Sequence, residues 1–184
     1  MGTLSAFVFI SIDGYYKDSA NGIEWHQHTE EGNKTAEEGL SVNNVLLFGR
    51  KTHDLMAGYW PSTHAAEQYP AVAAGMNAAR KIMISSTIRS SVWNNTQVYN
   101  HDWLDQIRKV KEMNNITVLG SGTIVTQLAT NNMLDVITVL IDPIVLGSGT
   151  AIFSGFMLPI SLKLREQHVL KNGSIQATYL IDKN

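Results

Sequence analysis

Three short stretches of the 184-residue sequence carry residue types able to hold an anion. Gly120-Ser121-Gly122 lies inside Ile116-Thr-Val-Leu-Gly-Ser-Gly-Thr-Ile-Val-Thr-Gln-Leu128, which reads as strand, tight turn and helix start. Its glycines let the backbone approach a pyrophosphate closely, and the unpaired N–H groups of the next helix, with its dipole, favour negative charge. Thr123 can cap that helix or offer its hydroxyl to phosphate. Two glycines also suit a turn with purely steric needs, and the third glycine and the acidic residue about 20 positions on that mark a Rossmann unit are absent. The other stretches are Gly49-Arg50-Lys51-Thr52 and Ser85-Ser86-Thr87. Arg50 has a planar fork that pairs with phosphate at two points or stacks on adenine; taken alone, it reads equally as a solvated surface arginine.

Other chemistries find less support. Ser121 lacks the Gly-x-Ser-x-Gly elbow and a plausible His/Asp pair, so hydrolysis is not expected. His26 and His28 share one side of a strand but not of a helix, and no further ligand stands at recognisable spacing, so no metal centre is expected. The sequence has no cysteine, which removes disulfides, thiolate metal sites and cysteine nucleophiles together.

The elements that must position these turns follow from the apolar pattern. Leu4 to Ile12 reads as a buried strand ending at the turn pair Asp13-Gly14. After Trp25 the chain is charged and helix-compatible up to about Leu40. Val45 to Phe48, Lys81 to Ile84 and Ile116 to Leu119 are short apolar runs, each followed by Gly, Ser or Thr and then helix-forming sequence, as in a mainly parallel sheet built from βα units. The three anion-friendly turns would then converge at one sheet edge, where α/β ligands bind. From Asp135 the pattern changes. Asp135 to Val145 is a β-branched run broken by Pro143, and Leu162 to Leu170 and Ile175 to Ile181 flank the hairpin pair Asn172-Gly173. Antiparallel strands should therefore extend the sheet at its C-terminal end. No repeat or linker divides the chain, which is expected to form one domain over residues 1–184.

The apolar fraction of 44% and charged fraction of 16% are globular values. A net charge of −2 gives no basic face for nucleic acid, and no run of Lys and Arg suits an anionic membrane. The N-terminal apolar stretch is short and lacks a basic lead, and no run approaches the roughly 20 apolar residues of a membrane span. A cytoplasmic protein is expected.

Leu47-Phe-Gly-Arg-Lys-Thr52 with Met56-Ala-Gly-Tyr-Trp-Pro61 resembles the dihydrofolate reductase-like superfamily, and within it the family named after the reductase domain of the bacterial bifunctional riboflavin-biosynthesis deaminase–reductase. Ser11-Ile-Asp-Gly14, Gly22-x-x-Trp25, Trp93-Asn-Asn-Thr96, Gly120-Ser-Gly122 and Pro143-Ile-Val-Leu-Gly-Ser-Gly149 fit the same pattern, in family order, from about residue 3 to 182. The resemblance implies a three-layer α/β/α fold with a mostly parallel sheet and antiparallel C-terminal strands. It also implies NADPH-dependent reduction of a pterin, pyrimidine or related heterocycle. Gly49, Arg50, Lys51 and Thr52 would face the cofactor's phosphates, Ser85 and Ser86 its adenosine end, and Gly120, Ser121, Gly122, Thr123 and Ile124 its pyrophosphate. The family often carries a basic residue where Ser86 stands, and Arg89 is a candidate substitute for it.

Such a reductase needs a proton donor. The resembling reductases carry a carboxylate on the helix after the first-loop tryptophan, which points here to Glu30, with Glu31 beside it and Asp13 as a rival. Trp25, Tyr59 and Trp60 have rings suited to walling a flat substrate or to filling a core. The apolar C-terminal strands and the segment from Phe153 to Ile160 (Phe153, Phe156, Met157, Leu158, Ile160) suggest a homodimer, as the resemblance also does. A nucleotide-binding protein without turnover is the alternative of a different class.

Overall fold

A computed structural model describes the protein over residues 1–29, 31–32, 40, 44–157 and 159–182. In chain order its elements are β1 (Leu4–Ser11), β2 (Tyr15–Lys17), β3 (Asn44–Gly49), α1 (Arg50–Tyr59), α2 (Thr63–Gln68), α3 (Pro70–Ala78), β4 (Arg80–Ile84), β5 (Thr96–Tyr99), α4 (Trp103–Met113), β6 (Asn115–Leu119), α5 (Gly122–Thr130), β7 (Val136–Asp142), β8 (Thr150–Ala151), β9 (Leu162–Val169) and β10 (Ile175–Ile181). The chain divides into two compact units, Met1–Thr3 with Thr29–Ser121 and Leu4–His28 with Gly122–Asn184.

The first unit carries strands in the order β5-β4-β3-β6, all parallel. Val45, Leu46, Leu47 and Phe48 are all buried, as a continuous apolar run in a parallel strand requires. Leu46 and Phe48 form a core with Val72, Met76 and Trp93, to which α3 contributes two side chains. Ser62 caps α2 by accepting the Ala65 N–H at 3.1 Å, and Pro70 opens α3, where its missing N–H costs nothing. Lys81 stands in the second apolar run yet is fully buried. Its Nζ donates to the carbonyls of Met76 (2.8 Å), Asn77 (3.1 Å) and Ala79 (2.6 Å), closing the C-terminal end of α3, and lies 4.6 Å from the Trp93 ring.

In the second unit β1 and β7 are parallel, and β10 pairs antiparallel with β7 on one side and β9 on the other. The C-terminal antiparallel strands are thus present as the sequence pattern predicts. A small antiparallel ribbon joins β2 and β8. The turn between β9 and β10 departs from the two-residue form expected of Asn172-Gly173. The Leu170 N–H reaches the Ser174 carbonyl and the Gly173 N–H the Leu170 carbonyl, which makes a three-residue loop with Gly173 at φ +87. In that loop type, glycine supplies the left-handed residue that closes the hairpin. All eight residues of β9 are exposed. Of the helix expected after Trp25 and up to about Leu40, residues 26–29 form no regular element and 31–32 are helical, while 30 and 33–39 lie outside the described residues.

Candidate active site

The first unit brings the three sequence-predicted turns to one edge. Gly49 is in register with Ile84 on β4, and Leu47 with Val118 on β6, so the chain leaves all three parallel strands on the same side at Arg50, Ser85 and Gly120. The Gly49 N–H donates to Ser121 Oγ at 2.9 Å, and a Cβ placed on Gly120 would lie 3.4 Å from Thr52 Cγ2. Gly120 and Ser121 are both left-handed, at φ +58 and +55. No side chain caps α1 at Gly49 and no acidic residue stands in its first turn, which holds Arg50 and Lys51. The opening amides of a ten-residue helix, with Lys51 beside them, therefore remain for an anion, a donor set that fits a phosphate.

Other members of the set are already committed. Arg50 Nη1 pairs with Asp54 Oδ2 at 3.0 Å along its own helix, in an exposed position where such pairs contribute little. Buried Ser85 accepts the Thr87 and Ile88 amides at 3.2 and 3.0 Å and so builds its own turn, while Ser86 and Arg89 are exposed.

In the second unit the start of α5 explains Gly122. A Cβ there would come within 2.7 Å of Tyr16 Cε1 and Cζ and 2.9 Å of its hydroxyl. The Gly122 N–H donates to that hydroxyl, and burial pushes the phenol up from its usual range. Gly122 is thus needed for the close approach of Tyr16, a reason no local reading of the turn supplies. Thr123 is exposed and Ile124 buried.

Asp13 is a loop anchor. It accepts the Ser11 hydroxyl at 2.6 Å and the amides of Leu146 (3.2 Å) and Gly147 (2.8 Å). The Ser11 hydroxyl, helped by those amides, holds its carboxyl below the usual range, the wrong direction for a proton donor near neutral pH. Glu30, the other candidate, lies outside the described residues.

A buried polar cluster stands where sequence reasoning saw only an apolar strand and two histidines. Asp142 ends β7 opposite Ser11, the end of β1. Its Oδ1 accepts the Ser174 hydroxyl at 2.6 Å, and its Oδ2 lies 2.6 Å from His26 Nδ1. The His26 ring stacks on Phe9 at 3.6 Å, with the His28 ring 4.9 Å away and nearly perpendicular. Lost hydration, together with neighbouring His26, holds His28 below the usual imidazole range. Trp25 lies edge-on to His26 at 6.4 Å, and its Nε1 is buried without a hydrogen-bond partner among the described residues. An unmade buried bond of this kind costs about 1–3 kcal/mol. The signal that could have found Asp142 was a carboxylate closing an otherwise apolar run just before Pro143.

Tyr59 and Trp60 pack edge-on at 5.0 Å. Trp60 rests on the core around Phe48, and its Nε1 faces Met56 Sδ at 3.1 Å, so its ring serves packing first. Among the described residues no group of three His, Cys, Asp or Glu could hold a metal ion, and no helix is long and apolar enough to cross a membrane.

The sequence matches the family described as the RibD C-terminal domain over residues 3–175. It is 22% identical over 172 residues to the uncharacterized protein YyaP of Bacillus subtilis (strain 168), covering 92% of this chain and 90% of that one. Among solved structures it is similar to a candidate riboflavin biosynthesis protein from Shewanella sp. PV-4, with TM-score 0.76, 18% identity and coverage of 98% and 99% of the two chains. It is also similar to dihydrofolate reductase from Enterococcus faecalis in complex with NADP(H) and RAB-propyl, with TM-score 0.61, 15% identity and coverage of 99% and 98%. These likenesses show a dihydrofolate reductase-like α/β fold.

Proposed function

Because the chain belongs to the RibD C-terminal domain family, we propose that it is a reductase that uses NADPH on a pterin- or pyrimidine-like heterocycle. The observation that carries this reading is the alignment of three parallel strand ends, with Gly49 bonded to Ser121 and the start of α1 left uncapped beside Arg50 and Lys51. The NADP(H) complex of the Enterococcus faecalis relative supports the choice of cofactor.

In this reading the amides of Arg50, Lys51 and Thr52, with the two cationic side chains, hold phosphate behind Gly49. Gly120, Ser121, Gly122, Thr123 and Ile124 serve the pyrophosphate, and Ser85 and Ser86 the adenosine end. The bound nucleotide supplies a hydride, and the protein must orient the acceptor and provide a proton. Trp25 offers its unpaired N–H to the substrate, with Tyr59 and Trp60 as further aromatic contacts. A ribosylaminopyrimidine phosphate substrate would need a further cation for its own phosphate, which a dihydropterin would not, and the two remain the competing substrates of this reading. The reading takes residues 1–184 as one domain, acting in the cytoplasm as a homodimer.

The test is calorimetric titration with NADPH and NADH, followed by NADPH oxidation over a panel of dihydropterins and pyrimidines. Sub-millimolar NADPH binding and turnover of at least one member are expected. Failure of both nucleotides to bind at millimolar concentration would sink the reading. Binding without turnover across the panel would instead favour a nucleotide-responsive protein.

A further inference from the structure

We propose that His26 delivers the proton to the reduced substrate nitrogen, with Asp142 and Ser174 as positioning residues that set its tautomer; the assignment rests on the reductase reading and deepens it. Asp142 and Ser11 close two parallel strands in register, and in parallel sheets ligands gather at the C-terminal strand edge. Both Asp142 oxygens are taken, one by Ser174 and one by His26, each at 2.6 Å. The carboxylate is therefore not free to anchor a ligand. It instead accepts Nδ1–H, leaving Nε2 as the ring nitrogen that exchanges a proton. The stack on Phe9 at 3.6 Å and the perpendicular His28 keep the ring from turning away. The adjoining Trp25 contributes a second feature that points to a ligand, a buried N–H without an acceptor among the described residues. Asp13, by contrast, is committed to Ser11 and the loop at 146–147.

The chemistry balances with a reduced nicotinamide dinucleotide as two-electron donor, which supplies hydride to the carbon of a substrate C=N bond and leaves as its oxidised form. The π pair of that bond moves to nitrogen. The nitrogen forms an N–H bond as the Nε2–H bond of the His26 imidazolium breaks, and the neutral ring takes a new proton from water. Among the described residues, Asp142 and His28 are the titratable groups against the His26 ring, and His28 is held toward its neutral form.

The test combines kinetics with a cofactor-free readout. His26→Asn keeps an amide N–H where Nδ1 donates and removes Nε2. With NADPH and 7,8-dihydrofolate or 7,8-dihydropterin as probes, kcat at a temperature well below the variant's own melting point is expected to fall by about 10²–10⁴ while KM holds. Asp142→Asn should lower kcat, and Ser174→Thr should restore what Ser174→Ala loses. In the protein without cofactor, long-range ¹H–¹⁵N spectra should show neutral His26 as the Nδ1–H tautomer, shifting toward Nε2–H in Asp142→Asn. An Nε2–H tautomer in the wild type would overturn the assignment. So would His26→Asn with unchanged kcat beside an active wild type, or loss of turnover in Glu30→Gln alone. A wild type that binds no nicotinamide nucleotide would overturn the reductase reading, and this one with it.

Discussion

The backbone N–H of Gly49 donates to the side-chain oxygen of Ser121 at 2.9 Å, tying the end of β3 to the turn after β6 across 72 residues of sequence. Ser121 itself is buried and left-handed at φ +55, so the bond also fixes an unusual backbone. Replacing it with alanine leaves the Gly49 amide unpaired. Ser121→Ala should lower stability by about 1 kcal/mol, roughly 2–4 °C in melting temperature for a chain of this size. If the two turns form one phosphate cradle, NADPH affinity should fall as well. A thermal melt and a titration on the same sample check both, and a variant unchanged in both would show that the bond positions nothing.

Arg50→Ala should weaken NADPH more than NADH, by about tenfold to a hundredfold, because a charge-assisted pair to the 2′-phosphate is lost. Stability should barely change, since the Arg50–Asp54 pair is exposed. Asp54→Asn should act oppositely, tightening NADPH by freeing the guanidinium and removing a nearby negative charge. Equal effects on both nucleotides would show that Arg50 does not read the 2′-phosphate.

Gly122→Ala places a methyl group 2.7 Å from the Tyr16 ring, inside contact distance. The expected cost is about 1–3 kcal/mol, typical of overpacking. In a Tyr16→Ala background the same substitution should cost less than about 0.5 kcal/mol, giving a large coupling in the double-mutant cycle. Additive costs in urea melts would mean that Tyr16 is not what excludes a side chain there.

Lys81 titrates in a window that can be isolated. Burial pushes its ammonium from 10.5 down to about 8. Below about pH 8 the lysine is protonated in both folded and unfolded chains, and the burial penalty is fully present. Between about 8 and 10.5 the unfolded chain binds more protons, so stability should rise with pH in that interval. Lys81→Met should lose this rise, and at neutral pH should also be destabilised because three carbonyls at the end of α3 lose their donor. Urea melts of both proteins from pH 7 to pH 10 supply the difference; a difference independent of pH would reject the linkage.

The exposed strand β9 presents Leu162 and Leu164 alternately with Lys163 and Arg165, and it is the edge strand of the sheet order among the described residues. A homodimer should therefore be sensitive to Leu164→Glu. Light scattering of the wild type is expected to give twice 20.3 kDa, and of the variant the single mass. A wild type at the single mass at high micromolar concentration would count against the dimer.

The sequence by itself determined what repeats locally. Apolar runs such as Val45 to Phe48, closed by glycine, suit strands covered on both faces, and the change of pattern after Asp135 marks the antiparallel end. Three turns rich in Gly, Ser and Thr after such strands lead to one edge because parallel strands must all end on the same side. Tertiary structure alone decided the polar interior. Lys81 opens one of those apolar runs, and nothing local says what would satisfy its ammonium until α3 folds back to surround it with carbonyls, because only a packed helix end offers those acceptors. Asp142, His26 and Ser174 lie up to 148 positions apart, each with an ordinary local reading, and become one hydrogen-bonded unit only when β7, the segment after Gly22 and the β9–β10 hairpin pack together. The same holds for Gly122. Its neighbours in sequence suggest a phosphate, whereas the atom a side chain would meet belongs to Tyr16 on β2. Periodicity is a property of consecutive residues. Hydrogen bonding between side chains is a property of distance in space, and a pattern of types along the chain carries no information about which distant pairs the fold brings within 3 Å.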